Sequence, residues 1–304
     1  KGWDVARKGL GKIVCLQAAF VVALAEQSAV LYTADGKLQV LIWEGMQSAL
    51  PYLGDNSMGT EPKTATEILS IGDVVRLDKD AEGNWLLAQQ PNVSGALVSL
   101  DPHNGALLDL VGGFDFFQSK FNLVTQAKRQ PGSNFKPFIY SSGLANGFTA
   151  ASLINDAPVV FDDNELESEW RPQNYSGKFF GPTRLRKALY KSRNLVSIRL
   201  LRSVGVGYAA RFSRKFGFDD NELPHDLSLA LGSCEVSPLQ MARAYSVLAN
   251  GGYLVQPYLI DRIEDADGTI LFEADPAVAC VACKLEKRGS GQVEIGLDLE
   301  NEEE

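Results

Sequence analysis

Residues 128–138 read KRQPGSNFKPF and carry the strongest signal in the chain. Pro131 and Gly132 predict a sharp turn, and the apolar residues that follow predict a helix. Ser133 then lies at the helix start, with Lys136 on the same face. A serine hydroxyl needs a base to remove its proton, and a lysine amine can do so when burial and nearby positive charge lower its pKa. The stretch therefore predicts a nucleophilic serine that works without histidine, beside helix N–H groups that stabilise developing negative charge.

A second polar triplet, Ser192-Arg193-Asn194, follows further along the chain. A Ser-x-x-Lys spacing alone occurs by chance and is typical of an N-cap serine beside a solvated lysine. The triplet reverses this interpretation, because its hydroxyl and amide could relay a proton and bind a substrate carbonyl. The chain has two histidines, in a turn at His103 and after a proline at His225, which disfavours a Ser-His-Asp triad.

These motifs carry a family resemblance. Residues 129–138 resemble the nucleophile motif of the penicillin-binding proteins, and the triplet resembles their second motif. Other stretches resemble the transpeptidase domain of the bifunctional, class A members, namely residues 112–116, 170–175, 181–184 and 230–245. Residues 35–46 resemble the small β-domain that precedes the transpeptidase in the 1a-type proteins. The resemblance extends over roughly residues 15–280.

The resemblance implies a mechanism and its partners. Ser133 would attack the penultimate D-alanine carbonyl of a peptidoglycan stem pentapeptide, with Lys136 as the base, and D-alanine would leave an acyl-enzyme. An amine of a neighbouring stem would then accept the acyl group. β-Lactam antibiotics, which resemble D-Ala-D-Ala, would acylate the same serine. Ser192 and Asn194 would serve proton transfer and substrate positioning, the Ser133 amide would supply half of the oxyanion hole, and no metal or organic cofactor is expected.

The predicted fold is α/β (α+β), in two parts. Strands and tight turns between residues 15 and 92 predict a small all-β, OB-like barrel. Residues 93–291 are predicted to form an incomplete transpeptidase domain, related to the serine β-lactamases, with an antiparallel sheet covered by helices. Residues 1–14 are expected to be a linker or the remnant of an upstream region, and residues 292–304 an acidic tail.

The family's third motif, Lys-Thr/Ser-Gly-Thr, does not occur in the sequence. Residues 287–291 only faintly resemble the segment that comes shortly before it. The strand that carries this motif would supply a cation for the substrate carboxylate and a second oxyanion-hole amide, and losing one such donor costs about 10²–10³ in rate. Its loss would also leave a sheet edge unpaired. The glycosyltransferase domain and membrane anchor expected before a class A transpeptidase are likewise missing from this sequence.

Three explanations for the missing motif stay open. The sequence favours a chain that omits stretches of a longer parent. The others are an inactive truncated form, and a degenerate module that binds the cell wall or partner proteins without catalysis. A class A β-lactamase is disfavoured, because Arg193 stands in the middle of the second motif where those enzymes have Asp, and no Glu-x-x-Leu-Asn follows.

Composition and charge limit the partners and the location. The 304 residues include 29 Lys+Arg and 38 Asp+Glu, and this acid excess disfavours a nucleic-acid partner. The apolar run at residues 13–25 is too short for a membrane-spanning helix, and its Val-rich continuation favours β-strands over a signal peptide. The family implies a periplasmic location, with attachment to the inner membrane only through the missing N-terminal anchor of the full-length parent.

The cysteines and an acidic segment are weaker signals. Cys280 and Cys283 form a single C-x-x-C, which offers too few ligands for zinc and could form a local disulfide if the compartment is oxidising. Cys15 and Cys234 are predicted to be small buried residues. The acids between residues 162 and 169 lack the spacing of a calcium loop and predict a solvated loop.

Overall fold

The computed structural model describes Ile13 and residues 16–158 and 171–280, and it divides into two units. The first comprises Lys1–Gly95 and Gly113–Lys120, and the second comprises Ala96–Gly112 and Phe121–Glu304. Several predicted features lie outside the described residues: the linker, Cys15, the acidic loop, Cys283, the segment 287–291 and the acidic tail.

The first unit is built around a five-stranded antiparallel sheet in the order β3-β2-β1-β6-β7. Alternate side chains of β2 point into the core, so that Ala29, Leu31 and Thr33 are buried. A separate two-stranded sheet, β4-β5, belongs to the same unit. The strands are β1 (Gln17–Leu24), β2 (Ser28–Thr33), β3 (Leu38–Ile42), β4 (Tyr52–Gly54), β5 (Ser57–Met58), β6 (Val74–Lys79) and β7 (Trp85–Ala88).

The predicted strand in the apolar run is confirmed as β1, and the predicted turns fall between strands. Asp35-Gly36 joins β2 to β3, and Gly36 has a φ of 84°, in the left-handed region that glycine adopts at little cost. The turn predicted at residues 82–84 joins β6 to β7. Because each turn is short and joins two strands that pair with each other, local sequence is sufficient to specify this part of the sheet.

The second unit is mainly helical. Its helices are α1 (Lys136–Ala145), α2 (Leu185–Tyr190), α3 (Asn194–Val204), α4 (Val206–Ser213) and α5 (Pro238–Ala249). The spacing of apolar residues between 238 and 248 predicts a helix, which is confirmed as α5. Ser237 and Gln240 form a capping box at its start, Pro238 occupies the first turn, and the helix stops before Asn250.

Among the described residues, the strands of the second unit form three two-stranded antiparallel sheets. They are β8 (Leu97–Leu100), β9 (Leu107–Val111), β10 (Leu153–Asp156), β11 (Gly181–Arg184), β12 (Arg262–Glu264) and β13 (Ile270–Glu273). β8 packs against α5. In the described part of the chain, the predicted helix-covered sheet is thus represented by the β8-β9 hairpin. The apolar pattern from Leu259 to Ile263 predicts a strand, and in the structure that strand begins only at Arg262.

An aromatic cluster anchors the start of α1. The ring centre of Phe138 lies 4.9 Å from that of Phe216 and 5.1 Å from that of Phe218, and the ring centre of Phe135 lies 5.0 Å from that of Phe218. Phe135 and Phe138 are completely buried, and burial of side chains this large contributes on the order of 2–3 kcal/mol each. The cluster therefore fixes the helix turn in which Lys136 lies between these two phenylalanines.

None of the helices in the described residues combines the length and apolar composition that crossing a membrane requires.

Candidate active site

Ser133 lies in a 3₁₀ turn, Gly132–Phe135, that leads directly into α1. Backbone contacts with the segment before α5 hold this turn in place. Arg129 and Val236 exchange hydrogen bonds of 3.0 and 3.1 Å, and the Gly132 N–H donates to the Gly232 carbonyl at 3.2 Å. A side chain at position 232 would place its Cβ 2.1 Å from the Gly132 oxygen, so only glycine allows this close approach.

Lys136 is buried, with 1% of its surface exposed. Its Nζ donates to the Ser192 carbonyl oxygen at 2.9 Å, to Ser192 Oγ at 3.0 Å and to Asn194 Oδ1 at 2.6 Å. These three acceptors match the three N–H groups of an ammonium. Burial lowers the pKa of Lys136 from 10.5 to about 8, because removal from water disfavours the charged form. A substantial fraction of this amine is therefore neutral near pH 8.

Ser192 occupies the turn between α2 and α3 in a left-handed conformation, with a φ of 52°. Its N–H donates to Leu189 O at 2.9 Å, and the Arg193 N–H donates to Ala188 O at 2.9 Å. Residues other than glycine in this region carry strain on the order of 1–3 kcal/mol, which the surrounding hydrogen bonds offset. The conformation presents both the carbonyl and the hydroxyl of Ser192 to Lys136.

The hydroxyl of Ser192 connects the amine to the nucleophile. Ser192 Oγ lies 3.0 Å from Lys136 Nζ and 3.0 Å from Ser133 Oγ. The Ser-x-x-Lys spacing suggests that the lysine acts directly on the serine, whereas Lys136 Nζ donates to Ser192 and Asn194 in the structure. In this structure the path from Ser133 to Lys136 therefore runs through Ser192.

Asn194 is the first residue of α3, and both ends of its side-chain amide are engaged. Oδ1 accepts from Lys136, and Nδ2 donates to the Gln173 carbonyl at 2.9 Å. Its backbone N–H donates to Asn174 Oδ1 at 2.9 Å. The structure thus brings together all four residues that the sequence singles out, and their catalytic roles stay a prediction.

An open cleft of about 450 Å³ lies over these groups. Its volume is within the range of small-molecule sites. The side chain of Tyr175 stands fully exposed at this cleft. The lining residues are Ser133, Asn174, Tyr175, Ser176, Lys191, Ser192, Arg193 and Asn194.

Two residues that support the site carry no local sequence signal. Asn174 lies in the stretch 170–175 that resembles the family, and no sequence pattern indicates a role for Asp156. In the structure the two side chains hydrogen-bond to each other at 2.7 Å, and Asn174 also contacts the start of α3. Their partners lie 18 and 20 residues away, beyond the reach of any helix or strand periodicity.

Within the described residues, no group of three or more His, Cys, Asp or Glu side chains is arranged to hold a metal ion. Cys234 is a free and buried thiol, as predicted, and burial raises its pKa to about 11. Cys280 is disulfide-bonded.

Comparison with known proteins identifies the family. Residues 95–281 match the model of the penicillin-binding protein transpeptidase domain, and residues 1–93 match the penicillin-binding protein OB-like domain. The chain belongs to the class A penicillin-binding proteins. The resemblance and the fold class predicted from the sequence are thereby confirmed: a transpeptidase domain of helices and sheets, with an OB-like β half-barrel before it. The exact domain limits, at residues 15, 92 and 291, stay predictions.

Individual relatives agree with this assignment. Penicillin-binding protein 1A of Pseudomonas aeruginosa is 50% identical over 261 residues, which are 86% of this chain and 32% of that protein. The crystal structure of penicillin-binding protein 1A from Haemophilus influenzae superposes with a TM-score of 0.79 at 35% identity, covering 92% of this chain and 40% of that one. The present chain thus spans about a third of the length of its curated relatives.

A more distant structure includes a bound antibiotic. The PonA1 protein of Mycobacterium tuberculosis in complex with penicillin V has a TM-score of 0.52 at 26% identity, and it covers 60% of this chain and 51% of that one.

Proposed function

We propose that this penicillin-binding protein carries a D,D-transpeptidase site, in which Ser133 forms an acyl-enzyme with peptidoglycan stem peptides and with β-lactams. The observation that carries the proposal is the continuous hydrogen-bonded path from Lys136 Nζ through Ser192 Oγ to Ser133 Oγ. Family membership supports the class of reaction.

Activation of Ser133 depends on the protonation state of Lys136. The protonated amine donates to Ser192, and the chain of donors then runs outward to Ser133. When Lys136 loses a proton, its lone pair can accept the Ser192 hydrogen, and Ser192 Oγ in turn accepts the hydrogen of Ser133. This reversal leaves Ser133 Oγ able to attack a carbonyl carbon, while Lys136 keeps two N–H groups for the Ser192 carbonyl and Asn194.

Acylation then proceeds through a tetrahedral intermediate. The bond from Ser133 Oγ to the penultimate D-alanine carbonyl carbon forms, and the Ser133 amide at the helix start stabilises the negative oxygen. The C–N bond to the terminal D-alanine breaks, and the proton held by Lys136 passes through Ser192 to the leaving amine. An ester on Ser133 and free D-alanine are the products.

Cross-linking reverses these proton movements. The amine of a second stem attacks the ester carbonyl and gives its proton through Ser192 to Lys136. The C–O bond to Ser133 breaks, and the serine oxygen recovers a proton by the same path. Asn194 Nδ2 carries two N–H groups, of which Gln173 takes one, so the second is available to a substrate carbonyl.

β-Lactams would follow only the first half of this sequence. Attack by Ser133 opens the lactam ring, and the amine that is released stays attached to the acyl group. A second amine then reaches the ester slowly, and the enzyme stays blocked. PonA1, whose structure contains penicillin V, is a relative in which such a ligand is seen.

In the full-length parent we place this domain in the periplasm, at the inner membrane, because its substrate is the cell wall. The second candidate is a module that binds the wall or partner proteins without catalysis.

Intact-mass analysis after treatment with a fluorescent penicillin distinguishes the two candidates. We expect one antibiotic per chain, mapped to the peptide that contains Ser133, and no adduct in Ser133→Ala. Ser141→Ala, a serine in α1 whose hydroxyl bonds to Pro137 O, is the matched control and should acylate normally. Absence of an adduct on the unaltered chain, or an adduct that persists in Ser133→Ala, would exclude this nucleophile.

A further inference from the structure

The start of α3 is capped by a side chain from elsewhere in the chain. The residue before the helix, Arg193, makes no side-chain capping hydrogen bond. Asn174 Oδ1 instead accepts from the backbone N–H groups of Asn194, at 2.9 Å, and Leu195, at 3.5 Å. The first N–H groups of a helix have no partner within the helix, so a cap fixes where the helix begins. Here it fixes the backbone of Asn194.

Asp156 determines which end of the Asn174 amide faces the helix. Asn174 Nδ2 donates to Asp156 Oδ1 at 2.7 Å and to the Lys178 carbonyl at 3.0 Å. Both partners are acceptors, so the amide nitrogen must face them and the oxygen must face α3. Asp156 therefore acts on Asn194 through Asn174.

The carboxylate of Asp156 is a charged group in a buried site. The Asp156 side chain is completely buried, and its Oδ2 lies 3.9 Å from Arg193 Nε without a hydrogen-bond partner. The Arg193 guanidinium in turn lies 3.5 Å from the ring centre of Phe180. Replacing buried ionic groups by apolar ones is often neutral or stabilising, so packing alone does not explain this arrangement.

We infer that Asp156 and Asn174 are positioning residues for the reaction at Ser133, holding the start of α3 so that Asn194 Oδ1 and the Ser192 hydroxyl both reach Lys136. The inference rests on the proposed function for its link to catalysis. The hydrogen bonds that link the residues do not depend on that proposal. Asp156 bonds to Asn174, Asn174 bonds to Asn194, and Asn194 bonds to Lys136, at distances of 2.6–2.9 Å.

An exchange of the two side chains provides the test. Asn174→Asp places two carboxyl groups against each other and should lower the rate of acylation by a fluorescent penicillin about 10²-fold, the effect of a displacement near 1 Å. When Asp156→Asn is added, the amide nitrogen at position 156 can donate to the carboxylate at position 174. The total charge of this double variant equals that of the unaltered protein. The double variant should recover to within about tenfold of the unaltered protein, since the remaining losses are the contact with the Lys178 carbonyl and the Asp156 charge beside Arg193.

Asn250→Asp is the matched control. Asn250 is equally buried in the same unit, where it bonds to Pro102 O and Tyr253 O. This change should lower the thermal midpoint as much as Asn174→Asp does, yet leave the acylation rate per folded molecule unchanged. A normal rate in Asn174→Asp, or no recovery in the double variant, would overturn the inference.

Two further measurements separate this inference from the proposed function. Asn174→Ala should speed amide hydrogen exchange at Asn194 and Leu195 at least tenfold, and it should shift the NMR signal of the Lys136 side chain. If no chain forms an adduct, the proposed function fails, and these readouts still decide the positioning role. Unchanged exchange and an unchanged Lys136 signal would then disprove it.

Discussion

The two units of this chain bury different kinds of side chain. The OB-like unit comprises Lys1–Gly95 and Gly113–Lys120, and the transpeptidase unit comprises Ala96–Gly112 and Phe121–Glu304. The interior of the OB-like unit is made of aliphatic residues such as Val21, Leu31 and Leu77, and the buried polar residues described in that unit are Thr33 and Asp115. The transpeptidase unit buries ten polar or charged residues among those described, including Lys136, Asp156 and Asn174.

The difference bears on the free energy of folding of each unit. Polar groups removed from water destabilise a fold unless hydrogen bonds compensate them, and a buried charge is more costly still. The OB-like unit avoids this cost almost entirely. In the transpeptidase unit, Asp156 bonds to Asn174, and Asn174 and Lys136 both bond to Asn194, beside the nucleophile. Changes at Lys136, which is hydrogen-bonded to Ser192 and Asn194, should therefore affect the reaction more than stability, and changes in the apolar interior should do the opposite.

The largest effect on the reaction is expected from Lys136→Met. Removing a general base costs about 10²–10⁴ in rate, so acylation of Ser133 by a fluorescent penicillin should fall about 10³-fold. Stability should change by only about 1 kcal/mol, because relief from burying an amine opposes the loss of a donor to Asn194 and Ser192. Rate constants and chemical denaturation measure the two effects.

Lys79→Met makes the same substitution in the OB-like unit, where Lys79 is exposed above the Trp85 ring. It should leave acylation unchanged. A loss of rate in Lys136→Met that merely follows a loss of folded protein would show that the lysine is structural.

The next largest effect is expected from Gly232→Ala. The new Cβ would meet the Gly132 oxygen at 2.1 Å, and Gly232 also has a left-handed φ of 69°. We expect displacement of the turn that carries Ser133 and a loss of about 10² in the acylation rate. Gly83→Ala in the OB-like unit shares the left-handed conformation, with a φ of 88°, but has open space around the new methyl group.

Comparison of the two variants therefore separates the effect of backbone strain from the effect of the close contact between Gly132 and Gly232. Both variants should lose about 1–2 kcal/mol of stability from conformation alone, and only Gly232→Ala should also lose rate. Equal rates in both would mean that the Gly132–Gly232 contact does not position the nucleophile.

The sequence predicts the OB-like unit and the helices well for a physical reason. Turns such as Asp35-Gly36 and the capped start of α5 are encoded by neighbouring residues, so local patterns suffice. The Ser133–Lys136 pair is local in the same sense, since both residues lie within one turn of a helix start. The sequence predicts a proton relay through Ser192 but not its geometry, because Ser133 and Ser192 are 59 positions apart.

The supporting residues could not be found in this way. Asp156 ends a short strand and Asn174 lies in a loop, and neither has a neighbour in sequence that indicates its role. Their partners are defined only once β10, the loop and α3 have packed together. A buried polar network of this kind requires three-dimensional coordinates, or a family resemblance, before it can be recognised.

A smaller and graded effect is expected from pH. The neutral form of Lys136 is the base, so acylation should rise about tenfold per pH unit up to about pH 8 and level off above it. The unfolded chain keeps the ordinary lysine pKa of 10.5, and between pH 8 and 10.5 it binds more protons than the folded chain. The unfolding free energy contributed by this residue should therefore rise with pH across that window. Lys136→Met should flatten both dependences, and a rate that falls between pH 6 and 8 would contradict a neutral amine as the base.

The smallest effect on the reaction is expected from Leu31→Ala in the apolar interior of the OB-like unit. Leu31 is completely buried in β2, and truncating a buried leucine costs about 2–5 kcal/mol through lost contacts and the cavity left behind. Leu38→Ala, at a site 66% exposed in β3 of the same unit, should cost no more than about 0.5 kcal/mol. Hydrogen exchange within β1, β2 and β6 should speed up in Leu31→Ala alone, while acylation stays within about twofold of the unaltered protein in both variants. A tenfold loss of acylation in Leu31→Ala would show that the apolar interior also supports the geometry at Ser133, and that the division between the two units is not a division between stability and chemistry.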